Sequence, residues 1–144
     1  MGFRLAGWAA LSWRDRRRLI GCTLGLPLVH ASLGLFGYTR TRRMIETLTQ
    51  RASTREAAGT EITDAQATAR LAAIAGRHGL VSASCLRQAL LLYGWLRWRG
   101  LQPSLKLGVT HLAAPFQAHA WIELSGEALL HADAEHHAFT NKVT

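Results

Sequence analysis

The sequence predicts an α+β fold, with helices first and a small antiparallel sheet last. Two observations carry this. Apolar residues recur at helical spacing before Gly100, and they alternate with polar or small ones, broken by turn signals, after Pro103. Runs of helices followed by runs of strands build α+β folds rather than interleaved parallel sheets. The length of 144 residues is that of one domain, with enough chain to bury a core without disulfide staples.

The first element is an uncharged run over 19–37, LIGCTLGLPLVHASLGLFG, with arginines on both sides. It meets the lower length bound of a membrane span. Four glycines, Pro27 and His30 argue against a plain span, because proline removes a helix hydrogen bond and glycine weakens a helix interior. A helical hairpin or kinked helix that breaks near Pro27 and packs on the rest of the chain is the expectation. Peripheral membrane contact and a true span are the alternatives. The run is a poor signal peptide, lacking a small-x-small cleavage site at 37–40. A short apolar pattern at 44–48 suggests one more helix. Residues 51–63, rich in Ala, Ser, Thr and Gly, read as a linker. The division is then 1–63, a basic, apolar helical region with its linker, and 64–144, a core that holds the chemistry.

The core opens with a helix over about 64–78, capped by Thr63 or Asp64. Ala65, Ala69, Leu71, Ala72, Ala73, Ile74 and Ala75 form its apolar side, and Gly79 follows as a stop. The next helix begins about Cys85 after Ser82 and Ser84, and carries Leu86, Ala89, Leu90, Leu92, Tyr93 and Leu96. Gly100 ends it and Pro103 confirms the stop. SLKLGVT, 104–110, is a half-buried strand with Leu105, Leu107 and Val109 inward. AHAWIEL, 118–124, is a second strand, Ser125-Gly126 a two-residue turn, and 128–130 a third.

Charge narrows the partners. Seventeen Lys and Arg against nine Asp and Glu give a net charge of +8, with arginines bunched at 14, 16, 17 and 18 and again at 40, 42 and 43. Such a balance favours acidic partners. No zinc-finger, RNA-recognition or glycine-rich phosphate motif makes nucleic acid specific, and nucleic acid is not the expected partner. Two cysteines in unlike contexts make no disulfide framework or zinc ribbon, so a cytoplasmic chain, with membrane association as an option, is expected.

The chemistry centres on Cys85 and His119. A thiol attacks a carbonyl as a thiolate. A helix N-terminus presents unpaired N–H groups and a partial positive charge, which favour an anion and can also bind an oxyanion. Cys85 falls at such a start. His119, on a strand, is on the same face as Trp121 and Glu123 and is a base with near-neutral titration. A small apolar cysteine buried in a core and a surface histidine are the bland alternatives. Cys22 reads as the buried kind. Trp95 and Trp98 read as packing or partner-docking residues, and Trp121 as a shield beside the imidazole. His131, His136 and His137 with Asp133 and Glu135 fit no zinc spacing, so no metal and no cofactor are expected.

S-C-L-R-Q-A-L, then R-G-L-Q-P-S-L-K-L-G-V, then A-H-A-W-I-E-L-S-G together resemble the leader peptidase of lasso-peptide biosynthesis. That enzyme is a transglutaminase-like, papain-like cysteine peptidase often called the B protein. The resemblance covers 80–139, with Cys85, Gly100, Gly108, His119, Ala120, Trp121, Glu123 and Gly126 in place. It implies Cys85 as nucleophile, His119 as base and an Asp on the next strand to orient it. The gapless slot falls on His131, and Asp133 lies two residues on, on the same strand face, so Asp133 is the third residue chosen, ahead of His131 or none. Glu123 reads as a strand-surface charge. The resemblance implies a precursor peptide as substrate and a separate leader-recognition protein. It also implies contact with the ATP-dependent lasso cyclase. An acyltransferase with the same Cys-His pair, or a non-catalytic membrane-associated scaffold, are the competing readings.

Overall fold

The computed structural model describes residues 9–50, 59–78, 84–110 and 117–129. Three helices precede a three-stranded sheet: α1 (Trp13–Thr49), α2 (Gly59–His78), α3 (Cys85–Trp98), β1 (Ser104–Thr110), β2 (Gln117–Leu124) and β3 (Glu127–Ala128). The fold is α+β, as expected.

α1 is a helical hairpin, but it turns at Gly37 and not near Pro27. Gly37 has φ 74 and ψ 174, a conformation essentially reserved for glycine. Pro27 lies within the helix, flanked by the buried Leu26 and Val29. Packing on both sides outweighs the one hydrogen bond that proline forgoes. The first limb, 13–36, runs antiparallel to α3: Gly21 lies against Trp95 and Gly25 against Leu91. The second limb, 38–49, returns parallel to it, with Ile45 against Gly94 and Thr49 bonded to Arg97. The glycines make these approaches close. A Cβ on Gly21 would stand 2.9 Å from the Trp95 ring, and one on Gly25 2.5 Å from Leu91 Cδ1.

α2 begins at Gly59, so the C-terminal part of the expected linker, 59–63, is helical. Ala65, Ala69, Leu71, Ala72 and Ala75 are buried as expected, while Ala73 and Ile74 are only half-buried. Leu71, Ala72 and Ala75 pack with Leu19, Cys22 and Leu26 of α1. Asp64 joins all three helices. It accepts from Arg18 of α1 at 2.6 Å and from Arg99, just past α3, at 2.9 Å. These two bonds hold its carboxyl below the ordinary range.

α3 is the central rod. Ala89, Leu90, Leu92, Tyr93 and Leu96 are buried against Ala120, Ile122 and Leu124 of β2 and the adjoining Leu101, Leu105 and Leu129. Its end follows from Gly100, at φ 88. Leu101 N–H donates to Leu96 O at 3.0 Å and Gly100 N–H to Arg97 O at 3.0 Å, the paired bonds of a Schellman stop.

The sheet is antiparallel in the order β1-β2-β3, with Gly108 opposite His119 and Leu105 opposite Ile122. Ser125 and Gly126, at φ 51 and φ 82, form the tight turn into β3, which starts at Glu127 rather than 128. Leu105 is buried, but Leu107 is 51% exposed, because the helical layer does not cover it.

Candidate active site

Cys85 is the first residue of α3. Ser84, extended at φ −66 and ψ 163, is the N-cap, and Gln88 N–H donates to its carbonyl at 3.1 Å. The Ser84 side chain makes no capping hydrogen bond, so its hydroxyl does not occupy the first turn. Helix starts of this kind favour anions. The Cys85 side chain is half-buried against the main core cluster and forms no disulfide.

The other cysteine has opposite surroundings. Cys22 sits in mid-helix, 1% exposed, and burial pushes its thiol up to about 11, with Arg18 pulling weakly the other way. Only Cys85 is at a helix start.

His119 stands near the beginning of β2. Ala120, Ile122 and Leu124 face the core, so by the two-residue repeat His119, Trp121 and Glu123 share the other face. Trp121 lies flat across β1 at Gly108, the cross-strand partner of His119. A Cβ there would meet the indole at 2.9 and 3.0 Å. Gly108 therefore makes room for the ring beside the histidine, a role its place in the motif did not reveal. Trp121 Nε1 donates to Glu123 Oε1 at 3.1 Å, and Lys106 Nζ stands 3.9 Å from Glu123 Oε2. Glu123 is thus engaged along its own strand face, in keeping with a strand-surface charge.

Cys85 packs against the core cluster, and His119 stands on the sheet face opposite to the core-facing Ala120 and Ile122. The link from α3 to β1 is short, so β1 starts beside the C-terminal end of α3. β2 pairs antiparallel with β1, and His119 is its third residue. His131 and Asp133, the two positions considered for the third role, lie outside the described residues.

A polar network beside Tyr93 holds the second limb of α1 to this rod. Glu46 Oε1 accepts from Tyr93 Oη at 2.9 Å and from Arg42 Nε at 2.9 Å, while Arg97 Nε donates to Thr49 Oγ1 at 2.8 Å. The Arg42 and Arg97 guanidiniums lie 5.9 and 5.4 Å from the Tyr93 ring centroid. Burial pushes the Glu46 carboxyl up, but its bonds from Arg42 and Tyr93 outweigh that and leave it lowered. In the sequence, Tyr93 reads simply as part of the apolar face. The four-residue spacing of Arg42 and Glu46 is the only local sign of the pair.

Among the described residues, no three His, Cys, Asp or Glu side chains gather as metal ligands. A family model described as the transglutaminase-like superfamily matches residues 25–144. No curated protein and no solved structure matches the chain.

Proposed function

The chain belongs to the transglutaminase-like superfamily, and on that premise we propose that it is a cysteine peptidase that removes the leader from a ribosomally made lasso-peptide precursor. The superfamily generally contains Cys-His-Asp enzymes, which supports an enzyme here. The observation that carries the reading is Cys85 as the first residue of α3. The run of motifs around Cys85, Gly108 and His119-Ala120-Trp121 supports the finer assignment to leader removal.

In this mechanism the Cys85 thiolate attacks the carbonyl carbon of the last leader residue. The carbonyl oxygen becomes an oxyanion, for which the Cys85 backbone N–H is a candidate donor. His119 gives a proton to the departing amine, which leaves as the amino terminus of the core peptide. The leader remains as a thioester. His119 then takes a proton from water, the hydroxide adds to the thioester, and the leader leaves with a free carboxylate while the thiol is restored. The reading needs thiol and imidazole within hydrogen-bond reach during turnover. Asp133 is assigned to orient the imidazole. A separate leader-recognition protein presents the precursor, and the lasso cyclase receives the product.

The test is mass spectrometry of the precursor incubated with this protein and its recognition partner, wild type against Cys85→Ala. A single cut at the leader–core junction, absent in the variant, is expected. A cut that survives Cys85→Ala removes the nucleophile. A new amide in place of a carboxylate makes the protein an acyltransferase instead.

A further inference from the structure

The outer side of the first limb of α1 has no partner among the described residues. Leu19, Cys22, Leu26 and Val29 face the protein, whereas Ile20, Leu24, Leu28 and Leu35 face outward at 47%, 58%, 70% and 77% exposure. Their spacing puts them on one stripe, with the exposed Trp13 at its start. From Trp13 to Leu35 the stripe runs about 33 Å. The helix is long and apolar enough for a membrane by length and composition, yet only 17% of its most apolar window is buried in the protein. A core helix of a globular protein would be mostly covered.

The charges say what covers it. No Asp, Glu, Lys or Arg occurs between Arg18 and Arg40, and arginines stand at both ends. Of these, the side chains of Arg14, Arg17, Arg40 and Arg43 make no hydrogen bond or ion pair among the described residues. At the N-terminal end a cavity of about 520 Å³ is lined by Arg14, Arg17, Arg18, Arg99, Trp95 and a single carboxylate, Asp64. Asp64 is already shared by Arg18 and Arg99. The Trp95 indole N–H is buried without a partner among the described residues. A second copy seated on the stripe would bring arginine ends against arginine ends in either direction. From Leu19 to Leu35 the stripe is flanked by the polar side chains of Thr23, His30 and Ser32 alone, with no Asp, Glu, Lys or Arg to pair with the charges of a protein partner's rim. An aliphatic surface bracketed by cations matches lipid chains beneath anionic headgroups.

We propose that the first limb of α1 lies flat on an anionic membrane surface, its stripe among the lipid chains and the arginine-lined cavity holding a lipid phosphate. The inner face of the limb stays packed on α2 and α3, so the attachment is peripheral. It does not depend on the peptidase reading, since binding is measured without substrate.

The experiment is flotation of the purified full-length protein with vesicles of phosphatidylcholine alone or mixed with phosphatidylglycerol. Binding to the mixed vesicles at least about tenfold stronger, and weakened by salt, is expected. Leu24→Ser with Leu28→Ser should release the protein from both vesicles. Arg14→Gln with Arg17→Gln should remove most of the preference for phosphatidylglycerol, with circular dichroism showing both variants folded. Equal binding to the two vesicles overturns the headgroup assignment. Absence of binding together with a dimer mass in solution makes the stripe a self-association surface. Bound protein that resists alkaline carbonate extraction makes the limb a span.

Discussion

Cys22 and Cys85 carry the same thiol into opposite surroundings. Cys22 is in mid-helix, where backbone N–H groups are taken by the helix itself, and neighbours from α1 and α2 shut out water. Cys85 opens a helix, half-buried against the main core cluster. The difference lies in what a helix offers at its start and in its middle. Reactivity comes from position along the element, and burial alone makes a thiol inert.

The sharpest way to break the comparison is turnover. Cys85→Ala should lower precursor cleavage by about 10⁴-fold, as loss of a nucleophile does. Cys22→Ala should leave kcat/KM within about threefold. Similar losses from both would mean that Cys85 matters only for folding. His119→Ala should cost about 10²- to 10⁴-fold with little change in melting temperature.

Chemical labelling sharpens it further. Native protein treated with iodoacetamide at neutral pH should carry the label on Cys85, with Cys22 labelled at least about 100-fold more slowly until denaturant is added. Peptide mapping reads this directly.

A smaller effect concerns pH. The folded Cys22 thiol is pushed up to about 11, so the unfolded chain ionises first as pH rises. The associated stability is fully present below about pH 8.5 and is lost as pH rises to about 11, by at most about 3 kcal/mol. Urea unfolding across that window should slope downward in wild type and be flatter in Cys22→Ala. A matching slope in the variant would place the effect elsewhere.

On the other side of the comparison, Gly108→Ala pushes a methyl against the Trp121 ring and should cost about 1–3 kcal/mol. Its activity loss should exceed that of Gly34→Ala, where nothing lies within 4 Å. The smallest expected effect is Asp64→Asn, about 1 kcal/mol, because the links to Arg18 and Arg99 are partly solvated. Thermal denaturation orders the two.

Residues 85–110 and 117–128 were legible because their signals are local. A serine before an amphipathic run, Gly100 before Leu101, alternation over 104–110 and Ser125-Gly126 each act within a few residues. The start of α3 at Cys85 and the α+β order therefore followed from the chain alone. The transglutaminase-like superfamily could be read from the same segment. Other features were set by contacts between distant residues. Proline and glycine both announce a break, but which one turns α1 depends on what packs beside it, and the limbs closed on α3 with the turn at Gly37. Alternation put Leu107 inward without revealing that the described helices leave it 51% exposed. Apolar spacing likewise gave α1 its stripes, but only the packing of α2 and α3 decided which one is buried. Local sequence fixes backbone preference within a turn or two, whereas burial is a property of neighbours brought together by the whole fold.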